Sequence, residues 1–418
     1  MIATVREARK LEGEIALPGD KSISHRALIL SAVATGRSRL GGLSSGADVQ
    51  STIGCLATLG ASFDGVWMRG VGFDGLSAPA GQLDCGNSGT TMRLLAGLLA
   101  AQNFSSVLAG DESLSRRPMD RVVEPLRRMG ADASWPPLKV GGKGPLEGIE
   151  YQMPVASAQV KSALLIAGLY AEGTTAVVEP AATRNHTELM LGAMGARVTV
   201  DGQRIEVGKT DRLDPLNLDI PGDFSAAAFW LVAAGLLRGS RLRLLSVGIN
   251  PTRTAFADTL RACGVKITSS NPREAGPERV ADLDVRPADA LRPVAIVNGM
   301  AAEMIDELPV LAVAATQLPG RSVIAGASEL RIKESDRLAA IEHGLSDMGA
   351  DIVATDDGWI IQGPRRLEGA RVSSCGDHRV AMAFAVAGLL AAGRTEIEGA
   401  ECVDISYPGF FDQLEYLC

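Results

Sequence analysis

Two kinds of helical pattern alternate along the chain. The first kind is apolar on every side, as in Arg26-Ala-Leu-Ile-Leu30, and a helix of that kind is buried inside a protein. A tight turn and then a short strand follow each one. We predict six such buried helices, within residues 26–36, 93–102, 162–173, 225–239, 308–320 and 380–393.

The second kind of pattern is an amphipathic stretch that ends on a glycine. Glycine is the usual residue just after a helix, because it enters the left-handed backbone conformation without steric cost. The spacing of these five endings, 65–85 residues, is close to the average spacing of the six buried helices and predicts repeated α/β units of about 70 residues. The endings lie at Gly60, Gly130, Gly195, Gly264 and Gly349.

A longer repeat divides the chain into halves. Leu17-Pro-Gly-Asp-Lys-Ser22 and Ile220-Pro-Gly-Asp-Phe-Ser225 each close a strand and open a buried helix, and they are 203 residues apart. Pro-Gly pairs interrupt regular structure strongly. We interpret them as chain crossings between two α/β domains of three units each: an inserted domain, 20–221, and a discontinuous one, 1–19 with 222–418. The active site is expected in the cleft between them, which two short hinges would allow to close.

Composition excludes several classes of protein. The 41 Lys and Arg residues against 49 Asp and Glu give a net charge of −8, which disfavours nucleic acid or an anionic membrane as partner. No apolar run is long enough to span a bilayer. The six cysteines are scattered and the four histidines lack metal-ligand spacing, so we expect reduced thiols, no metal site and a cytoplasmic protein.

Polar and basic residues gather where the buried helices begin. Helix N-termini carry partial positive charge and unpaired N–H groups that bind phosphate or carboxylate, and arginine adds bidentate contacts. Four such starts in one family of repeats indicate an anion-binding site. They are Lys21-Ser-Ile-Ser-His-Arg26, Asn87-Ser-Gly-Thr-Thr-Met-Arg93, Ser157-Ala-Gln159 and Asp377-His-Arg379.

Carboxylates stand beside further basic residues in the second half of the chain. Asp306 precedes an apolar run that should be buried, and a buried carboxylate needs a cationic partner or takes part in proton transfer. Lys333 and Arg337 are four residues apart and can face the same way if the segment is helical, with Glu334 beside them. The alternative for this segment is a salt-bridged surface helix.

Eight segments, taken in order, resemble those of the 5-enolpyruvylshikimate 3-phosphate (EPSP) synthase family. They include Pro18-Gly-Asp-Lys-Ser-Ile-Ser-His-Arg26, in the form of the bacterial branch called class II, and residues 86–93, 117–119, 157–159, 305–309, 331–337, 377–379 and 406–411. The resemblance implies two domains, each of three βαβαββ units with buried parallel helices and outer mixed sheets. It implies transfer of the enolpyruvyl group of phosphoenolpyruvate to the 5-hydroxyl of shikimate 3-phosphate, without metal or organic cofactor.

The resemblance also assigns roles to residues. Asp306 is implied as the base at the 5-hydroxyl, Glu334 as the proton donor to the methylene group, and Lys21 as a contact of both substrates that shares in proton transfer. Phosphoenolpyruvate would be bound by Lys21, Gly89, Thr90, Arg117, Gln159, Arg337 and Arg379. Shikimate 3-phosphate would be bound by Lys21, Ser22, Arg26, Ser157, Ala158 (through its backbone), Gln159, Arg184, Asp306 and Lys333.

Other expectations follow from the same resemblance. Gly89 is the small residue of herbicide-sensitive members, so we expect glyphosate to inhibit in competition with phosphoenolpyruvate, and we expect a monomer. Some members carry a lysine, contacting phosphate, just before the aromatic-Pro segment near the C-terminus. Here Ile405-Ser406 stands in that place, which leaves one phosphate contact unassigned.

Two alternative functions are kept open. UDP-N-acetylglucosamine enolpyruvyl transferases have the same architecture but usually carry a reactive cysteine on a loop preceding an Arg-Pro pair. Residues 109–117 here contain none. A non-catalytic anion-binding protein of two domains would keep the basic residues but would not need Asp306 or Glu334.

Overall fold

The computed structural model describes residues 1–142, 144–297 and 299–418. Short strands alternate with helices throughout. The α-helices are α1 (Lys21–Ala32), α2 (Ala47–Thr58), α3 (Gly89–Leu99), α4 (Glu112–Ser115), α5 (Asp120–Arg128), α6 (Ala158–Gly168), α7 (His186–Ala193), α8 (Phe224–Leu236), α9 (Ala255–Ala262), α10 (Met300–Glu303), α11 (Leu308–Gln317), α12 (Arg337–Asp347), α13 (His378–Leu390) and α14 (Phe410–Leu417). Two 3₁₀ helices span Ser328–Ile332 and Ala400–Ile405.

The strands are mostly two to five residues long, which suits small sheets. They are β1 (Ile2–Arg6), β2 (Glu12–Ala16), β3 (Arg37–Gly41), β4 (Ser62–Asp64), β5 (Trp67–Arg69), β6 (Leu83–Asp84), β7 (Ser105–Ala109), β8 (Asp132–Ser134), β9 (Leu138–Gly141), β10 (Glu150–Gln152), β11 (Thr174–Val178), β12 (Val198–Asp201), β13 (Arg204–Gly208), β14 (Asn217–Asp219), β15 (Arg241–Gly248), β16 (Lys266–Ala275), β17 (Glu278–Arg286), β18 (Ala295–Ile296), β19 (Gly320–Ile324), β20 (Asp351–Thr355), β21 (Gly358–Gly363), β22 (Arg371–Ser373) and β23 (Arg394–Glu398).

The described chain divides into two compact units. The central unit comprises 19–220 and 274–278, and the terminal unit comprises 1–18, 221–273 and 279–418.

Three mixed sheets of one design make up the outside of the central unit. Their strand orders are β14-β3-β5-β4, β6-β7-β9-β8 and β10-β11-β13-β12. In each sheet the first two strands are parallel and the other neighbours antiparallel. The apolar helices α1, α3 and α6 pack together as the core of the unit.

The terminal unit has a similar design around α8, α11 and α13, with two four-stranded sheets and one three-stranded sheet. Its sheets have the orders β16-β17-β15-β2, β18-β19-β21-β20 and β1-β23-β22. The two N-terminal strands complete two of these sheets: β2 lies parallel to β15, and β1 lies antiparallel to β23. The beginning of the chain therefore belongs to the same core as its C-terminal half.

The six predicted buried helices are confirmed. In α8, for example, Phe229 and Trp230 are each 1% exposed although they are neighbours in the sequence, so the helix is enclosed on all sides. The same holds for α1, α3, α6, α11 and α13, whose residues are nearly all buried. The structure thus confirms the α/β class with buried helices and mixed outer sheets.

The five predicted glycine endings are confirmed as well. Each follows an outer helix (α2, α5, α7, α9 or α12), and the φ angles lie between 84° and 108°, where an L side chain would be strained. The residues are Gly60, Gly130, Gly195, Gly264 and Gly349. Within the described residues, no helix is both long and apolar enough to cross a membrane.

Candidate active site

The start of α1 places a lysine beside a buried carboxylate of the central unit. Asp20 caps the helix, its carboxylate accepting a hydrogen bond from the backbone N–H of Ile23 at 2.9 Å. Lys21 Nζ then lies 2.9 Å from Asp48 Oδ2, with 14% and 7% of the two side chains exposed. The sequence analysis identified Lys21 but not Asp48, which lies in the next helix.

Arg26, one turn further along α1, is directed into the protein. Only 1% of its surface is exposed. Its guanidinium donates to the carbonyl oxygen of Ser22 at 2.9 Å, to Ser162 Oγ at 2.8 Å, to Thr187 Oγ1 at 2.8 Å and to the carbonyl oxygen of Ala158 at 3.4 Å. It therefore ties together the starts of α1, α6 and α7, and it fixes the backbone at two of the predicted shikimate 3-phosphate ligands.

A second arginine reaches the same helix start from the β11–α7 loop. Arg184 Nη1 donates to Ser22 Oγ at 3.1 Å. Lys161, which is 1% exposed, holds both ends of this loop, since its Nζ lies 2.9 Å from Glu179 Oε2 and 2.7 Å from Glu188 Oε1. Sequence reasoning missed this buried triad, and the one signal for it was a lysine inside an otherwise apolar helix.

The starts of α3 and α6 are joined by a predicted ligand. Gln159 donates through Nε2 to Thr90 Oγ1 at 2.8 Å, and its Oε1 accepts from Arg93 Nη1 at 2.5 Å. Ser157 caps α6, its Oγ accepting from the N–H of Val160 at 3.4 Å. The structure thus brings Thr90 and Gln159 together as expected and adds Arg93, to which the sequence analysis gave no individual role.

Gly89, the first residue of α3, lies against two guanidinium groups. A Cβ atom built on it would be 2.8 Å from Arg93 Nη1 and 3.5 Å from Arg117 Nη1. Arg117 is 7% exposed and donates through Nη2 to Asn87 Oδ1 at 2.5 Å and to Ser113 Oγ at 3.2 Å. The absence of a side chain at Gly89 leaves room for these arginines.

A buried chain of hydroxyl groups links α1 to α3. His25 Nδ1 lies 2.7 Å from Thr52 Oγ1, Thr52 Oγ1 lies 2.7 Å from Thr91 Oγ1, and Thr91 Oγ1 donates to Ser88 Oγ at 2.7 Å. Complete burial, and then the positive charges at the start of α1, lower the pKa of His25 well below its usual value. His25 is therefore neutral. Its hydrogen bond with Thr52 joins the start of α1 to the hydroxyl groups that reach the start of α3.

Arg337 organises the carboxylates of the terminal unit. It is 1% exposed and donates to Asp377 Oδ2 at 2.7 Å, to Glu334 Oε2 at 2.6 Å and to Asp306 Oδ1 at 3.4 Å. Burial acts to lower the pKa of this guanidinium, but the three carboxylates outweigh it and raise the pKa above its usual value. Both predicted proton-transfer groups therefore contact one buried cation.

Arg379, near the start of α13, reaches the same carboxylate. Its Nη1 donates to the backbone oxygen of Asp306 at 3.2 Å, and its Nη2 lies 3.6 Å from Asp306 Oδ2. Its backbone N–H donates to Asp377 Oδ1 at 2.9 Å. Asp377, which the sequence analysis gave no role, therefore caps α13 and holds Arg337 at the same time.

The segment around Lys333 is not one continuous helix. A 3₁₀ helix ends at Ile332, and α12 begins at Arg337 because the carboxylate of Asp336 accepts from the N–H of Ala339 at 3.1 Å. The alternative of a salt-bridged surface helix is wrong, since Arg337 is buried. Burial lowers the pKa of Lys333 and the charge of Arg337 adds to this effect, while nearby carboxylates oppose it.

These features define a class of protein. Each unit presents basic groups at the starts of buried helices, and the terminal unit adds carboxylates in contact with arginine. Such an arrangement can bind phosphorylated or carboxylated molecules and move protons on them. Among the described residues, no group of His, Cys, Asp and Glu could hold a metal ion. The fold and the site are those of an α/β enzyme that acts on small anions.

Comparisons with known proteins identify the family. The family model described as EPSP synthase (3-phosphoshikimate 1-carboxyvinyltransferase) matches residues 5–414. A 3-phosphoshikimate 1-carboxyvinyltransferase of Desulforudis audaxviator is 49% identical over 100% of this chain and 99% of its own length. One from Gloeobacter violaceus is 51% identical over 98% of both chains.

A solved structure agrees with these matches. The EPSP synthase of Acinetobacter baumannii superimposes with a TM-score of 0.88 and 41% identity, covering 100% of this chain and 98% of that one. The chain belongs to the EPSP synthase family, and the family resemblance and fold expected from the sequence are confirmed.

Proposed function

We propose that this protein transfers the enolpyruvyl group of phosphoenolpyruvate to the 5-hydroxyl of shikimate 3-phosphate in the shikimate pathway. The products are 5-enolpyruvylshikimate 3-phosphate and inorganic phosphate. The observation that carries the proposal is the contact of Asp306 and Glu334 with Arg337, because it places two proton-transfer groups on a cation suited to an anionic substrate. Family membership supplies the identity of the substrates.

Each substrate carries negative charge, and we propose that both units contribute to its binding. Phosphoenolpyruvate would be bound by Lys21, Gly89, Thr90, Arg117, Gln159, Arg337 and Arg379. Shikimate 3-phosphate would be bound by Lys21, Ser22, Arg26, Ser157, Ala158, Gln159, Arg184, Asp306 and Lys333. Since these residues come from two units, the proposal includes a site in the cleft between two domains, 20–221 and 1–19 with 222–418, that close on the substrates.

The arginines have a second task in this proposal. In this structure the Arg337 guanidinium donates hydrogen bonds to Asp377, Glu334 and Asp306. When the phosphate and carboxylate of phosphoenolpyruvate take up hydrogen bonds of Arg337 and Arg379, Asp306 and Glu334 are released from those contacts. Substrate binding thereby frees the two carboxyl groups for proton transfer.

The chemistry is an addition followed by an elimination. The 5-hydroxyl oxygen bonds to C2 of phosphoenolpyruvate, its proton passes to Asp306, and protonated Glu334 gives a proton to the methylene carbon. The tetrahedral intermediate then loses phosphate, Glu334 takes a proton back from the methyl group, and Asp306 returns its proton to the departing phosphate. Lys21 stabilises the phosphate charge, and each acid–base step contributes typically about 10²–10⁴-fold.

Phosphate release provides the test. Purified protein should release phosphate from phosphoenolpyruvate with shikimate 3-phosphate present, and not with UDP-N-acetylglucosamine in its place. Asp306→Asn should lower kcat by about 10²–10⁴-fold with little change in substrate affinity. Release with the UDP-sugar would favour the alternative transferase, and binding without any release would favour a non-catalytic anion-binding protein.

Three finer points belong to the proposal. Glyphosate inhibits in competition with phosphoenolpyruvate, because the first residue of α3 is a glycine beside Arg93 and Arg117. The protein is a 43.6 kDa monomer, which analytical ultracentrifugation would test. It acts in the cytoplasm, which is supported by its six free cysteines, since thiols stay reduced there.

A further inference from the structure

A second buried charge cluster lies directly beside Asp306 in the chain and has no part in the chemistry above. Glu307 is 1% exposed and Arg253 is 3% exposed. The Ser225 hydroxyl donates to Glu307 Oε1. Arg253 Nη2 donates to Ser225 Oγ at 2.8 Å and to Asp223 Oδ1 at 3.3 Å, and it lies 4.0 Å from Glu307 Oε1.

The surroundings of Asp306 explain why such a cluster would matter. Asp306 lies in the turn between α10 and α11, outside both helices. One side of the turn is held by Arg379, whose Nη1 donates to the backbone oxygen of Asp306 at 3.2 Å. Its other side is held through the next residue, Glu307, whose side chain is fixed by Ser225 in the first turn of α8.

The side chains of Asp306 and Glu307 have different partners. Asp306 contacts Arg337 and Arg379, while Glu307 contacts Ser225 and Arg253. The two residues share a peptide plane, so a change in the backbone at Glu307 also turns Asp306.

The internal repeat supports this interpretation. Ser22 and Ser225 occupy the same position in the two Pro-Gly-Asp segments. In the central unit Ser22 Oγ accepts from Arg184, and in the terminal unit Ser225 Oγ accepts from Arg253. The terminal unit differs in that Ser225 also donates to a carboxylate of the chain itself. The Ser225 hydroxyl, which corresponds to that of Ser22 by sequence position, is thus bound by Glu307, a carboxylate of the chain itself.

We propose that Glu307, Arg253 and Ser225 form a buried anchor that positions Asp306 for proton transfer. They are positioning residues, since none is placed on a substrate, and the inference rests on the proposed function. A displacement of a catalytic group by about 1 Å can cost about 10²-fold in rate. A loosened anchor should therefore lower kcat far more than it changes substrate affinity.

The main test is Glu307→Gln, which keeps the shape of the side chain and removes its charge. We expect kcat to fall about 10–100-fold, with KM for both substrates within about threefold of wild type. The matched control is Glu303→Gln, the same change at an exposed position of α10, which should stay within about twofold of wild type. Circular dichroism and urea unfolding would verify that each variant is folded during the assay.

Rescue separates positioning from a general loss of structure. Arg253→Gln leaves the buried carboxylates of Asp223 and Glu307 without this cation, so it should be more damaging than Arg253→Lys, which keeps the charge. The double variant Arg253→Gln with Glu307→Gln removes both charges and should recover part of the kcat lost in Arg253→Gln. A double variant whose losses simply multiply would overturn the paired anchor.

The other possible results of these experiments also support or overturn the proposed anchor. A folded Glu307→Gln protein with kcat within twofold of wild type, or with KM raised as much as kcat is lowered, would overturn the inference. If Glu307→Gln does not fold, Ser225→Ala decides instead, because it leaves both charges in place: a kcat at least threefold lower supports the anchor, and an unchanged kcat overturns it. A wild-type protein that releases no phosphate would refute the proposed function itself, which this series distinguishes from failure of the anchor alone.

Discussion

A methyl group added at Gly89 tests the proposed phosphoenolpyruvate site most directly. In Gly89→Ala the new Cβ would lie 2.8 Å from Arg93 Nη1, where ordinary contact begins at 3.4 Å, so the guanidinium must retreat by about 0.6 Å. Arg93 is not free to do so without loss, because it donates to Gln159 Oε1 at 2.5 Å and to the carbonyl oxygen of Pro118 at 3.2 Å.

The size of the effect follows from those two contacts. A hydrogen bond to a charged group contributes about 1.5–3 kcal/mol, so loss of one corresponds to about 10–150-fold in binding. Alanine is favoured over glycine in helices by up to about 1 kcal/mol, and the variant should therefore fold. We expect KM for phosphoenolpyruvate to rise about 10–100-fold, and the inhibition constant for glyphosate to rise at least as much.

Initial rates of phosphate release, with each substrate varied in turn, would measure both constants. The matched control is Gly54→Ala in α2, where the added Cβ would meet no described atom within 4 Å apart from those of its chain neighbours and of the backbone of its own helix, and its kinetics should match wild type. KM for shikimate 3-phosphate should change little in either variant. A Gly89→Ala protein with unchanged KM for phosphoenolpyruvate and unchanged glyphosate inhibition would show that Arg93 and Arg117 do not border that site.

Three further predictions concern the buried charges. Lys161→Met leaves two buried glutamates without their cation and should lower the free energy of unfolding by about 3–5 kcal/mol in urea titrations, whereas Lys139→Met at an exposed position should have little effect. The native pKa of His25 is lowered, so below about pH 6.5 the unfolded chain gains a proton that the native protein does not. The free energy of unfolding should therefore fall as pH decreases, by up to about 1.4 kcal/mol per pH unit from this residue, and His25→Asn should remove that contribution between pH 7 and 5. In Arg337→Lys the side chain cannot donate to both oxygens of Asp377 as the guanidinium does. We therefore expect kcat/KM for phosphoenolpyruvate to fall about 10–100-fold.

Each of these predictions has a result that would contradict it. Equal urea stability of Lys161→Met and Lys139→Met would mean that the buried triad contributes nothing to folding. Parallel pH curves for wild type and His25→Asn would mean that His25 titrates alike in the folded and unfolded chains. Normal kcat/KM in Arg337→Lys would remove Arg337 from the phosphoenolpyruvate site.

The segment around Lys333 shows where a pattern in the sequence was insufficient. The four-residue spacing of Lys333 and Arg337 is compatible with one helical face, but Asp336 caps α12 and starts the helix only at Arg337. A capping carboxylate is a local signal that could have been recognised. The burial of Arg337 could not, because it depends on Asp377, which is 40 residues away in the chain.

The sequence by itself determined the six buried helices, the five glycine endings and the helix starts that carry Lys21, Gly89 and Gln159. All of these depend on neighbours within a few residues, and hydrophobic periodicity and backbone preference act over that range. Only the tertiary structure decided that Lys21 pairs with Asp48 and that Arg26 turns inward to Thr187, 161 residues away. Such pairings depend on which surfaces pack together, and a buried charge takes its partner from whatever element lies against it, wherever that element stands in the chain.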